Sequence, residues 1–174
     1  MKLKNYFLGV LVLPFLLFSM TVEFVDNPDL MSIAQNNLPH NGVLKITPEG
    51  FLYLKISDDY IFDLLPLISG QDIVAPPYFK PGMIGAHISV AYENEMEGMN
   101  YSDLIALGEV VSFEILNFQH LNLDNCIIGN DIYILDIKAP RLSEIRTQLG
   151  LSSLIKGHDF HITVAISDSN QKAA

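Results

Sequence analysis

Two tripeptides in this chain have the residue types of a proton-transfer site: His87-Ile88-Ser89 and His161-Ile162-Thr163. Imidazole titrates near neutrality, so one ring can be neutral while a second is protonated. A hydroxyl two positions away can donate one hydrogen bond and accept others. Two imidazoles and two hydroxyls converging on one point would suit a phosphodiester. The hydroxyls would hold non-bridging oxygens, one imidazole would take a proton from water, and the other would return one to the leaving alkoxide. No metal is called for by those steps, and a bell-shaped dependence of rate on pH is the expected signature.

Convergence of that kind needs strands. Side chains two apart on a strand share a face, so His87 would project with Ser89 and His161 with Thr163, while Ile88 and Ile162 point the other way into a core. Residues 84–91 and 159–166 read as such strands, with small and apolar flanks. Ahead of the first come a short helix over 28–36 and strands over 43–47 and 51–56 joined by Pro48-Glu49-Gly50. An amphipathic helix over 60–69 follows, capped by Asp58-Asp59, and then a loop over 71–82 with Pro76, Pro77 and Pro81. Between the motifs, strands are expected over 108–116 and 131–137, with a hairpin partner near 120–128 and a turn at Gly129-Asn130-Asp131. A second helix, over 140–149, opens on Pro140 and ends at Gly150. Each half of the chain thus carries a helix, a loop and then a motif strand.

The segments Gly85-Ala86-His87-Ile88-Ser89-Val90 and Asp159-Phe160-His161-Ile162-Thr163-Val164 resemble the paired His-x-Ser/Thr motifs of the 2H phosphoesterase superfamily. Its members include cyclic nucleotide phosphodiesterases and the RNA 2′,3′-cyclic phosphodiesterase and 2′-5′ ligase group. The resemblance covers residues 43–167. It implies an α+β fold of two pseudo-symmetric lobes of antiparallel sheet with flanking helices. It also implies His87 and His161 as the acid-base pair, Ser89 and Thr163 as phosphate ligands, and no cofactor. The activity it implies is hydrolysis of a 2′,3′-cyclic phosphate or a related small nucleotide phosphodiester. Which histidine is the base depends on how the substrate lies. The alternative is an exported interaction protein that uses the same pocket to bind a phosphate-bearing ligand without turnover.

Composition narrows the partner. The 174 residues carry a formal net charge of -10, which repels polyanions. A small nucleotide or a short oligonucleotide end is therefore expected, rather than a stable complex with long nucleic acid. Lys2 and Lys4 precede an apolar run over 6–20 that is short for a membrane span and has the form of an export signal. Ser19 and Thr21 place small residues before a cut at Val22, and the absence of a following cysteine excludes a lipoprotein signal. The partition expected is a signal over 1–21, an amino-terminal extension over 22–42, the phosphoesterase-like domain over 43–167 and a polar tail over 168–174. The location expected is periplasmic or secreted, with no membrane span once the signal is removed, or membrane-anchored if it is retained.

Other residues carry weaker signals. Tyr92, Lys156 and His158 are candidates for the pocket rim, and Lys80 and Tyr53 could add charge or a stacking face. His158 and His161 are three apart, so on a strand they would face opposite sides and would not share a metal. His40 and His120 read as loop residues without partners, and Glu93, Glu95 and Glu97 as a solvated acidic loop. Cys126, the one cysteine, reads as a buried strand-edge thiol, and no intramolecular disulfide can form.

Overall fold

A computed structural model describes residues 20–70, 72–99, 106–123, 131–155 and 157–167. Within them the order is β1 (Met20–Phe24), α1 (Pro28–Asn36), β2 (Asn41–Ile46), β3 (Leu52–Lys55), α2 (Asp59–Phe62), a single 3₁₀ turn (Leu65–Leu67), β4 (Ile73–Val74), β5 (His87–Ala91), β6 (Val110–Ser112), β7 (Glu114–Leu123), β8 (Asp131–Lys138), α3 (Pro140–Gln148) and β9 (Phe160–Ser167). Local chemistry sets the ends of these elements. Asn27 caps α1 by accepting from the Leu30 N–H at 3.1 Å, with Pro28 in the first turn, where its missing N–H costs nothing. The β2–β3 hairpin turns at Gly50, whose φ of 98° suits a residue without Cβ.

The strands form one antiparallel sheet in the order β1-β7-β8-β9-β5-β3-β2-β6, with β4 also paired to β9. It is two four-stranded halves joined at the middle. Each half ends inward on a motif strand, and the seam between them is the pair Ile88↔Ile162 of β5 and β9. Both isoleucines are fully buried. They belong to one apolar core that also takes in Leu30 and Ala34 from α1 and Leu142 and Ile145 from α3. α1 packs on β7 in one half, and α3 on β5 and β6 in the other. The α+β, two-lobed architecture expected from the motifs is the architecture found.

Several expectations change. The helix over 60–69 stops at Phe62, because Pro66 lacks the N–H that a continuing helix would bond and its ring crowds the preceding turn. The single strand over 108–116 is two strands that break at Phe113, whose N–H goes to the His40 carbonyl at 3.0 Å. β6 then borders β2 in one half, while β7 crosses to pair with β8 in the other. His120 lies on β7 rather than in a loop and is not unpartnered. Its Nε2 is 2.9 Å from Asp131 Oδ1, and its ring stacks on Tyr133. His40 likewise has a partner, the Ala34 carbonyl at 2.9 Å. Residues 22–42, expected as an extension, supply most of β1, α1 and the first residues of β2 to the same sheet and core, and the cut expected between Thr21 and Val22 falls inside β1. Residues 1–19 of the expected signal, residues 124–130 with Cys126, and the polar tail lie outside the described residues, while 120–123 of the expected hairpin partner are the end of β7.

Candidate active site

Antiparallel pairing at Ile88↔Ile162 has a direct geometric consequence. Continued one residue each way, the register sets His87 across from Thr163 and Ser89 across from His161. Directly opposed residues on one face have Cβ atoms about 5 Å apart. All four polar side chains stand on the face away from the isoleucines, and all four line a single cavity of about 800 Å³.

The two imidazoles are held in the same way. Nδ1 of His87 lies 2.8 Å from the Gly85 carbonyl, and Nδ1 of His161 lies 3.4 Å from the Asp159 carbonyl, each two residues back along its own strand. A carbonyl can only accept, so each Nδ1 must carry a proton. In the neutral ring that leaves Nε2 as a basic nitrogen. The surroundings are less alike. His87 is buried at 8% exposure, ringed by Tyr78, Phe51 and Tyr53 with centroids 4.5, 5.5 and 5.8 Å away, each edge-on. Burial in that aromatic cage pushes its pKa below the usual histidine range. The nearby Lys55 charge and His161 add to the fall, and the Gly85 bond opposes it. His161 is more open but is also shifted down, by desolvation first and then by His158, against its own carbonyl bond.

Gly85 makes the first of these anchors possible. Its φ is +74°, and a Cβ there would sit 2.5 Å from Asp58 Oδ1 and 2.7 Å from Lys55 Nζ. Those two groups are ion-paired. Asp58 also accepts from the Ala86 N–H at 2.8 Å, and Lys55 donates to the Ala86 carbonyl at 3.2 Å. The start of β5 is thereby pinned from both sides, with the Gly85 carbonyl aimed at His87.

A buried cation ties the end of β5 to the approach of β9. Arg146 of α3 is 1% exposed. It donates to the carbonyls of Val90, Ser152 and Leu154 and makes a 2.8 Å ion pair with Glu95. Glu95 is therefore not part of a solvated acidic loop; it neutralises the one charge α3 carries into the core. Helical spacing puts Arg146 beside Ile145 and Leu142 on the buried face, a position at which a sequence reading expects an apolar residue.

The remaining lining falls into distinct walls. Tyr92 stacks on Phe51, and both line the cavity beside His87. Val22, Leu121, Ile132 and Ile134 form an apolar side. Asp136 and Asp159 bring carboxylates beside His161, and Glu93 also lines the cavity. Asp136 is the register partner of His161, and burial together with the Asp159 charge raises its pKa, against a bond from Asn117. His158 is exposed at the rim, next to Asp159. Lys156 lies outside the described residues. Lys80 is exposed in the loop before β5, and Tyr53 packs against His87. Among the described residues no group of three or more His, Cys, Asp or Glu side chains is arranged to hold a metal ion. The sequence reading did not single out Phe51, Tyr78, Asp136 or Gly85 as site residues. The Pro-Pro-Tyr and Gly-Ala-His strings are visible, but nothing local says that they close around the same ring.

Opposed His-x-Ser and His-x-Thr strands at the seam of two half-sheets mark out a phosphoesterase. Residues 52–171 match the family model described as Swiss Army Knife, 2H phosphoesterase domain, and the chain belongs to that family of phosphodiesterase-type hydrolases. No curated protein and no solved structure matches the chain.

Proposed function

We propose that this protein hydrolyses a 2′,3′-cyclic phosphate or a related small nucleotide phosphodiester, with His87 and His161 as the acid-base pair. The observation that carries the reading is the Ile88↔Ile162 register, which puts both motifs on one face with both rings anchored through Nδ1. Water attacks phosphorus, the imidazole on its side accepts the proton at Nε2, and the P–O bond to one ribose oxygen breaks. The other imidazole, protonated, gives its Nε2 proton to that alkoxide. Ser89 and Thr163 donate to the non-bridging oxygens and hold them as charge builds. These steps require no metal and no cofactor.

The lining supports a small substrate. An aromatic wall beside His87 suits a nucleobase or a sugar face, with Tyr92 and His158 at the edge. The carboxylate wall beside His161 disfavours further phosphates, and with the net charge of -10 it favours a nucleotide or a short end over a long polymer. Export fits the apolar amino-terminal run, and among the described residues no helix is long and apolar enough to cross a membrane.

The test is turnover of nucleoside 2′,3′-cyclic monophosphates in the presence of a chelator. Wild type should give a single monophosphate product, and His87→Ala and His161→Ala should each lose at least about 10²-fold in kcat. Full activity in either variant would remove the acid-base pair. Saturable binding without product would instead favour a binding protein.

A further inference from the structure

The cavity continues beyond the motif side chains. Past β9 it runs over β8, β7 and the edge strand β1, where strand pairing sets side chains in rows on one face. Opposite Thr163 lies Ile134, opposite Ile134 lies Gln119, and opposite Gln119 lies Phe24. In the next row Ile132 faces Leu121, and Leu121 faces Val22. Ile134, Gln119, Ile132, Leu121 and Val22 line the same cavity as His161 and Thr163. Neighbouring strands lie about 4.8 Å apart, so this strip reaches roughly 14 Å from Thr163 to β1. Val22 is 43% exposed and Phe24 72%, which carries the apolar surface out to the open rim. Gln119 is the polar member of the strip, and its amide nitrogen donates to Asp136.

We propose that this strip is a subsite for a second ester arm of the substrate, and that the arm is an unbranched aliphatic alcohol. The inference rests on the phosphodiesterase reading above and extends it from cyclic phosphates to an acyclic diester. Its nucleoside lies on the aromatic wall beside His87, its phosphate between the motifs, and its alkyl arm along Ile134, Ile132, Leu121 and Val22. Aliphatic side chains offer area to bury but no hydrogen bonds. A second nucleobase would need an aromatic face or a polar edge to meet. The aromatic ring of the strip, Phe24, stands at its far end, and the Gln119 amide nitrogen is directed to Asp136. A sugar or glycerol arm would strand its hydroxyls against isoleucine and leucine, and a further phosphate would meet the Asp136 and Asp159 carboxylates. A hydrocarbon chain incurs none of these losses. β9 borders the strip, so the imidazole on the arm's side is that of His161. Water adds to phosphorus and gives a proton to His87, the P–O bond to the aliphatic alcohol breaks, and His161 passes its proton to the departing alkoxide. The products are a nucleoside monophosphate and the free alcohol, and the two rings recover their starting protonation from solvent.

Alkyl esters of adenosine 5′-monophosphate, methyl through octyl and below their micelle-forming concentrations, test this with the full chain. kcat/KM should rise about two- to fourfold per added methylene, the order for burying one CH₂ group, and level off once the chain passes Val22. Leu121→Asn with Ile132→Thr should flatten the series. The readout is the ratio of hexyl to methyl ester within each variant, so a change in folded fraction or overall rate cancels. Val22→Thr keeps a β-branched residue on the edge strand and should make the series level off at a shorter chain. Alkyl phosphate monoesters give a second readout that needs no turnover: by titration calorimetry, binding should tighten with chain length and its heat-capacity change should grow more negative. A flat series in both rate and binding would overturn the subsite, whether because the strip is covered by the chain's own apolar run over 6–20, by a second copy, or by nothing. Alkyl phosphates that bind in a rising series while no diester is turned over would keep the subsite and sink the phosphodiesterase reading. Cyclic phosphates hydrolysed alongside a flat alkyl series would do the reverse.

Discussion

Gly85→Ala places one methyl group where the site has least room for it. The new Cβ would lie 2.5 Å from Asp58 Oδ1 and 2.7 Å from Lys55 Nζ, on a backbone with φ of +74°. Holding an L-residue in that region costs roughly 1–2 kcal/mol. Relief of the contact requires the Asp58 carboxylate to move, and with it goes the 2.8 Å bond from the Ala86 N–H, a charge-assisted bond of about 1.5–3 kcal/mol when buried. The carboxylate is 45% exposed, so the lower end of that range applies and the Lys55 pair itself adds little. Together the loss should be about 3 kcal/mol of unfolding free energy, measured by urea denaturation with both variants fitted to a common slope. Function should suffer more than stability. If the backbone rotates to relieve the clash, the Gly85 carbonyl leaves His87 Nδ1, the ring loses its tautomer and aim, and kcat/KM should fall by about 10²-fold. The assay is cyclic-phosphate hydrolysis at a temperature where the variant is fully folded. A variant within about 0.5 kcal/mol of wild type, or one that is folded and fully active, would refute the claim that this glycine anchors the first histidine.

Four other outcomes follow from the same structure. Both histidines titrate below the ordinary value near 6.5 in the free protein, so kcat/KM, which reports the free enzyme, should be bell-shaped with its maximum on the acid side of pH 6.5; a maximum above that value would contradict the desolvated pair. For stability the sign is fixed by proton binding: a folded pKa below the unfolded one means the unfolded chain binds more protons. The contribution of His87 burial is therefore full above pH 6.5 and declines as pH falls toward the folded pKa. His87→Gln should flatten that part of the acid-stability curve. Arg146→Met removes the buried charge that Glu95 pairs with and leaves the carbonyls of Val90, Ser152 and Leu154 without that donor, and should cost about 3–5 kcal/mol by urea unfolding; a loss under 1 kcal/mol would show that the cation is dispensable. Finally, a 5′-phosphate on a 2′,3′-cyclic substrate should lower kcat/KM about tenfold through the carboxylate wall. Glu93→Gln with Asp159→Asn should narrow that ratio; if the two substrates were used equally by wild type, the wall would have no role in selection.

The reaction class was legible in the sequence because it depends on local periodicity. A two-residue repeat puts His with Ser or Thr on one face and Ile on the other wherever the chain is extended, and the β5 and β9 segments are too apolar and too short to be anything else. Helix ends at Pro28, Pro140 and Gly150 were equally readable, since proline and glycine act on their own backbone. Pro66 shows the limit of pattern alone: the apolar spacing over 60–69 was helical, and one missing N–H ended the helix anyway.

What the tertiary structure decided was everything set by residues distant in the chain. The seam register makes His87 face Thr163, and no feature of either tripeptide encodes which partner lies opposite. Phe113 breaks a continuous β run because a carbonyl 73 positions earlier, His40, takes its N–H. Glu95 and Arg146 carry charges that composition assigns to solvent, and pairing inside the fold is what lets Arg146 be buried beside a half-buried Glu95. Tyr78 and Gly85 were invisible as site residues for the same reason, since their significance lies in what packs against them. Side-chain alternation is a property of a strand by itself, whereas the cage around His87 exists only after β3, β5, β9 and the Pro76–Pro81 loop have been brought to one place.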